Sequence, residues 1–249
     1  MTEGIDPVRT VIICVGMALL AAGILWRARV PLGWEPVIAV VRAGIQLALL
    51  AVILSVMMTE LGWVFLWLGV MLAIAVFTSA RRIGRSARVV LGVALALTAG
   101  VAAAIGTAFV SGAVDLGPQY LLAVGGIIIG NSMNVTTLSA RRLQEQLADH
   151  RGEVEGWLAL GATNRQATAR FRALASKLSL IPSIDQTKTT GLVTLPGAFT
   201  GAVFAGASPL EAGLFQLVVL AGILLSASLA SIIINEVLGS PSQVPAAVE

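Results

Sequence analysis

The chain has 249 residues, of which 57% are hydrophobic and 12% charged, with a formal net charge of +3. An average soluble domain carries roughly 25% charged residues, and here the apolar residues fall in runs of about twenty, the length that crosses hydrocarbon, so a water-soluble fold is excluded. Arg and Lys lie between those runs and form no single basic face with interleaved aromatics, which excludes nucleic acid as a partner; the lone Cys14 and lone His150 exclude an intrachain disulfide and a zinc or iron–sulfur cluster of ordinary spacing.

The predicted fold is all-α, a polytopic transmembrane helical bundle forming a single transmembrane domain over residues 1–249, with lipid as its surroundings. Seven spans are predicted, over residues 8–26, 37–58, 62–79, 89–111, 118–140, 190–206 and 213–236. The first follows Glu3 and Asp6 and lacks a basic leader, so it is expected to be a retained span and not a cleaved signal. Arg42 and Gln46, four apart, share one face of the second helix, and Asn131 and Asn134, three apart, share one face of the fifth, with Met133 between them. Gly126 with Gly130, and Gly197 with Gly201, follow the small-x-x-x-small rule that lets membrane helices approach closely. The sixth span is the shortest, contains Pro196, and can be drawn from as early as Ile184. Residues 237–249, with Pro241 and Pro245, read as a frayed tail.

Loops rich in Lys and Arg stay in the cytoplasm. Arg27 and Arg29 fall in the first loop, Arg81, Arg82, Arg85 and Arg88 in the third, and Arg141, Arg142, Arg151, Arg165, Arg170, Arg172, Lys177 and Lys188 in the fifth. The alternate loops hold Glu60, Asp115 and Glu211 without a basic residue. The N-terminus is therefore expected outside, the C-terminus inside, and residues 141–189 in the cytoplasm.

That long polar stretch is rich in helix formers. Leu143, Leu147, Val154, Trp157 and Leu158 recur at near-helical spacing, as do Ala167, Phe171, Leu174, Leu178 and Ile181. Gly161 is a helix stop and Thr163 or Asn164 a cap, so a bend is predicted between two helices, about 139–160 and 164–180. Two readings are open: amphipathic helices lying on the anionic inner leaflet, or a docking surface for a cytoplasmic partner.

Gly130-Asn131-Ser132-Met133-Asn134, the stretch from Leu158 to Thr163, and the run Ile181-Pro182-Ser183-Ile184-Asp185-Gln186-Thr187-Lys188 through Gly197 resemble the FetB-type iron-export permeases. That family of ABC transporter membrane subunits also includes the plant aluminium-sensitivity permeases. The resemblance implies a homodimeric permease in the bacterial cytoplasmic membrane, exporting iron or a related metal and served by a separate cytoplasmic ABC ATPase that holds the ATP and Mg. No G-x-x-x-x-G-K-[ST] loop occurs in the chain itself. Glu155 followed by Gly161 also resembles, in part, the coupling loop of ABC importer permeases. Residues 154–166 are accordingly the candidate coupling helix, with Glu155 and Gly161 at the matched positions, Trp157, Leu158 and Leu160 as apolar anchors, and Arg165 at the rim.

Charge at mid-bilayer costs roughly 2.5–3.5 kcal/mol, so polar residues within spans need a reason. Arg42 reads either as a snorkelling arginine or, with Gln46, as part of a substrate path; Asn131, Met133 and Asn134 read as path residues or as glue between helices. Pro196 and Gly197 mark either a packing site or a helix interruption beside the path. A pairing of Arg42 with Glu236 is expected to lower the cost of both. Candidate metal donors are Met57, Met58, Glu60, Asp115, Met133, Asp185 and Glu236, which nothing groups in sequence. An ATPase-independent secondary transporter or channel is the competing function; an intramembrane enzyme is excluded by the lack of any nucleophile–base pair.

Overall fold

The computed structural model describes residues 6–57 and 60–239. Its chain forms two compact units, residues 1–59 and 60–249. In the first, α1 (Pro7–Arg27) is opened by Asp6, whose carboxylate accepts from the Val8 and Arg9 amides at 3.0 and 3.4 Å. A turn with Gly33 at φ +51° leads to α2 (Glu35–Met57), and the two helices pack on each other through Ala18 and Ala22. Most of their apolar side chains, Ile12, Leu20, Ile24, Ile38 and Ile45 among them, remain outward. Such a surface is stable only against lipid or another apolar partner.

The second unit contains α3 (Leu61–Ile83), α4 (Ala87–Val110), α5 (Pro118–Asp149), α6 (Arg151–Ala159), α7 (Asn164–Ala167), α8 (Ala169–Thr189), α9 (Gly197–Phe204) and α10 (Pro209–Leu238). Among the described residues every regular element is a helix. Among the described residues six helices, α1 to α5 and α10, are long and apolar enough to cross a membrane, one fewer than the sequence predicts. The missing span is the one drawn over 190–206. There the chain turns tightly, with Gly191 at φ +85° and its amide donating to the Thr194 carbonyl at 2.8 Å, and then forms only the eight-residue α9. Eight residues rise about 12 Å, against some 30 Å of hydrocarbon.

The core of this unit is a close packing of α4, α5 and α10 with α3 on their flank. Where α4 crosses α10, a Cβ on Gly100 would stand 2.6 Å from the Ser226 carbonyl oxygen, so only glycine permits that approach. Gly222 faces Ile128 and Gly125 faces Leu68 with similarly little room, each under 3.0 Å. Serines fasten the same contact: the Ser132 and Ser226 hydroxyls lie 2.6 Å apart across α5 and α10, both buried. Gly130, Gly197 and Gly201 meet nothing within 4 Å, and Gly126 only the end of Met71 at 3.5 Å. The small-residue pairs chosen from sequence therefore do not carry this chain's own close crossings, which fall to neighbouring glycines.

The polar helix α8 runs antiparallel to α10 and packs on both α10 and α5. At one end Ser176 bonds Asn235 at 2.8 Å, and Thr168, just before α8, bonds the Gly239 carbonyl at 2.5 Å. At the other end Thr187 and Thr190 share a cavity with Gly213 and Gln216. From Arg172 to Thr190 the helix rises about 27 Å, and from Gln216 to Asn235 its neighbour rises about 28 Å. The face it buries is built of small residues at four-residue spacing, Ala175, Ser179 and Ser183. That is the device membrane helices use to approach one another. The sequence reads this stretch as part of the long polar segment 141–189.

Candidate transport and coupling sites

The end of the second unit that contains the α5–α8 junctions carries its own small core. Leu143 and Leu147 of α5, Val154 of α6, Ala167 of α7, and Phe171 and Ala175 of α8 are buried together, with Leu158 packed against them. α5 runs straight on to Asp149, beyond the predicted span, and the chain then doubles back through α6 and α7. The bend falls where the sequence puts it. Gly161 takes φ +89°, and Thr163 caps α7 with its hydroxyl accepting from the Gln166 amide at 3.3 Å while the Gln166 side chain accepts from the Thr163 amide at 2.9 Å.

The residues of the 154–166 segment divide into inward and outward sets. Trp157 is 52% exposed and Leu160 83% exposed, flanking the bend. Leu158 turns inward to the small core, so it is a packing residue before it is an anchor. Glu155 is exposed and held by Arg151 at 2.7 Å. Arg165 reaches Glu236 at 3.3 Å, and the nearly buried Arg172 reaches the same carboxylate at 2.5 Å while donating to the Arg165 carbonyl at 2.9 Å. Glu236 thus has two arginine partners from the α7–α8 region.

Asn235, next to it, is buried and was not singled out by the sequence. Its Nδ2 donates to Ser139 of α5 and Ser176 of α8, both at 2.8 Å, binding three helices at one point. The bend, the head of α8 and the end of α10 are therefore one tied assembly.

The expected path residues fall in both units. Arg42 and Gln46 lie exposed on one face of α2 in the first unit. Asn131 is half-buried on α5 with its amide turned back to the Ile127 carbonyl at 2.9 Å, Asn134 is exposed, and Met133 packs at the edge of the core. The Met133 carbonyl accepts from Thr137 at 2.8 Å. Pro196 caps α9 and Gly197 begins it. Among the described residues no three His, Cys, Asp or Glu side chains gather as a metal site; Met58 and the Met57 side chain lie outside the described residues. The polar groups that do gather along a helix are on α8, whose outward face bears Lys177, Asp185, Gln186 and Lys188, with Lys188 and Asp185 paired at 3.3 Å.

Six apolar helices of spanning length, interlocked in the second unit by glycine and serine contacts, define a polytopic membrane protein with a packed helical hairpin beside its spans. The chain belongs to the family described as Uncharacterised protein family (UPF0014), whose model matches residues 8–240. It is 35% identical over 225 residues to the UPF0014 membrane protein STAR2 of Oryza sativa subsp. japonica, covering 90% of this chain and 79% of the rice protein. It is 32% identical over 218 residues to the protein ALUMINUM SENSITIVE 3 of Arabidopsis thaliana, covering 87% and 80%. To the probable iron export permease protein FetB of Escherichia coli it is 34% identical over 139 residues, 56% of this chain and 54% of that protein. No solved structure matches. The chain is thus a membrane protein of the UPF0014 family.

Proposed function

We propose that this chain is the membrane subunit of an ABC exporter for iron or a related metal, working as a homodimer with a separate cytoplasmic ATPase that supplies ATP and Mg. The observation that carries the proposal is the hairpin of α6 and α7. It presents Trp157 and Leu160 outward while Arg165 and Arg172 fix its base to Glu236 of α10. An aromatic and an aliphatic anchor on a rigid bend suit a groove in a partner, and the ion pairs give a displacement of the bend a direct route to a spanning helix. Kinship with a protein named as a probable iron export permease supplies the cargo.

In this reading α8 is the sixth of seven crossings, with the N-terminus outside, the C-terminus inside and the cytoplasmic loop shortened to about 141–168. Its antiparallel course along α10, its small-residue inner face and its length support the assignment. Lys177, Asp185 and Lys188 then lie on a membrane-depth helix, where exposure to lipid would cost roughly 2.5–3.5 kcal/mol for each charge. They line a polar path between two copies of the permease, and the open surroundings of Gly130, Gly197 and Gly201 leave those positions for close approach of the second copy.

Trp157→Asp and Leu160→Asp test the coupling site. Each is expected to reduce ATPase co-purification more than about tenfold while membrane insertion is unchanged, since interface anchors are worth about 2 kcal/mol or more. Leu158→Asp is a poorer choice because it strikes the small core. Undiminished co-purification of the ATPase with both Trp157→Asp and Leu160→Asp would refute the coupling assignment.

A further inference from the structure

The junction of α3 with α4 is strongly basic. Arg81 and Arg82 lie in the last turn of α3 and Arg85 in the connection that follows, all three exposed. Arg141 of α5 comes to the same place, donating from Nε and Nη2 to the Arg82 carbonyl at 3.2 and 3.1 Å. Beside it Gln144 donates to the Ile83 carbonyl at 3.3 Å. These bonds satisfy carbonyls that a helix end leaves open, but a carbonyl carries no charge to set against a guanidinium. Glu145, the carboxylate on the same stretch of α5, is held by Arg142 at 2.9 Å. Among the described residues Arg81, Arg82, Arg85 and Arg141 have no carboxylate within ion-pair distance. Arg142, Arg151, Arg165, Arg170 and Arg172 each have one. The chain therefore neutralises its arginines around the α6–α7 bend and leaves those of the α3–α4 junction to repel one another unless an anion joins them.

Arg81 fixes the level of the cluster. From Leu61 to Arg81 the helix rises about 30 Å, the thickness of the hydrocarbon, so Arg81 stands where lipid tails give way to headgroups. Its guanidinium lies over the Phe77 ring, 5.5 Å from the centroid. Phe77 is itself 62% exposed on a helix of spanning length, so its open face meets lipid tails. A cation held against such a ring lies along the membrane surface and does not reach away into water.

We propose that the α3–α4 junction binds the headgroup of an anionic phospholipid, its phosphate oxygens taken by the guanidinium groups of Arg81, Arg82 and Arg85 and an acyl chain lying along Phe77. The planar guanidinium matches phosphate in a two-bond fork and gives up its water readily, so several arginines can share one phosphate group. Orientation of the chain by basic loops depends on how many arginines there are, and needs neither the stack on Phe77 nor the want of carboxylates. An acidic protein surface would suit the charge, but it would not meet a ring at hydrocarbon depth. That the leaflet is the cytoplasmic one, where anionic lipids give a negative surface potential, rests on the expected orientation of the spans. Binding itself can be tested without that orientation and without transport.

The experiment is titration of the full chain, purified in an uncharged detergent, with phosphatidylglycerol and separately with phosphatidylcholine, following bound lipid by native mass spectrometry with no ATPase present. Phosphatidylglycerol is expected to bind about tenfold or more tightly than phosphatidylcholine, whose choline offsets the phosphate charge. Arg81→Gln and Arg85→Gln together are expected to weaken phosphatidylglycerol about twenty-five-fold, at about fivefold for each basic residue near an anionic surface, and to leave phosphatidylcholine unchanged. Arg142→Gln, whose guanidinium already faces Glu145, is expected to leave both unchanged. Glycerol 3-phosphate, which offers the phosphate without acyl chains, is expected not to displace the lipid at equal concentration. Thermal unfolding of each variant separates loss of the site from loss of the fold, and if the double variant fails to fold Arg81→Gln alone carries the test. Equal binding of the two lipids, undiminished binding by the folded variant, an equal loss in Arg142→Gln, or displacement by glycerol 3-phosphate would overturn the proposal. So would a double variant that keeps its lipid and loses the ATPase, which would give the cluster to a protein partner. None of the lipid results touches the coupling assignment, which is read by ATPase co-purification with Trp157→Asp and Leu160→Asp.

Discussion

α8 and α10 lie side by side, antiparallel and tied at one end by Asn235 and Glu236, yet one is polar and the other almost wholly apolar. α10 buries glycine and serine against α4 and α5 and turns leucine and isoleucine outward, as a helix does when its outer surroundings are lipid. α8 buries small residues in the same manner but turns lysine and aspartate outward. The inner faces obey one packing rule, and the outer faces differ in polarity. Hydropathy records the outer face, so it finds α10 and passes over α8.

The largest expected effect breaks the apolar partner. Gly100→Val places side-chain carbons where the Ser226 carbonyl oxygen stands 2.6 Å from the would-be Cβ, and backbone cannot step aside. Overpacking of a core costs about 1–3 kcal/mol, and this site belongs at the top of that range or above. A sharp fall in apparent Tm and in folded yield from the membrane is expected; a variant as stable as the parent would mean that α4 and α10 are not in this contact.

A smaller effect is expected where α8 is tied down. Asn235→Leu removes the bonds to Ser139 and Ser176, each worth about 0.6 kcal/mol by analogy with measured interhelical bonds. It also removes an amide oxygen that is buried without a partner, which offsets part of the loss. The net destabilisation should be about 1 kcal/mol or less, read as a modest drop in apparent Tm. A loss as large as that of Gly100→Val would show that the α5–α8–α10 tie dominates the packing.

Six of the seven predicted spans coincide with helices to within a few residues at their starts, because each is an apolar run bounded by charges or turn residues. The fifth extends to Asp149, past its apolar part, since Leu143 and Leu147 have a second core to enter. The helix stop at Gly161 and the cap at Thr163 were equally legible, being local backbone chemistry. What failed was the assumption that an apolar run is a span. Leu192 to Phe204 is apolar, but Gly191 and Pro196 spend it on a turn and a short helix. The signal that could have drawn α8 alongside the spans was present in Ala175, Ser179 and Ser183, small residues four apart beneath the charges. Likewise the pattern that singled out Gly126 and Gly130 cannot name a partner, and the adjacent Gly125 takes the close contact. Gln216 and Asn235 went unnoticed because a single amide in an apolar run has no periodicity to mark it. Glu236 was noticed, but its arginine partners lie far back in the chain, at positions 165 and 172, which only the fold brings near.

Whether α8 crosses the membrane is decided most directly by its two ends. Leu160, ahead of it, is 83% exposed and Leu192, after it, 90% exposed, so cysteine at either position in a Cys14→Ser background should be open to a reagent on its own side. A membrane-impermeant maleimide added to intact cells is expected to modify Leu192→Cys at once and Leu160→Cys only after permeabilisation. Modification of both from the same side would contradict the crossing, and with it the polar path assigned to Lys177, Asp185 and Lys188.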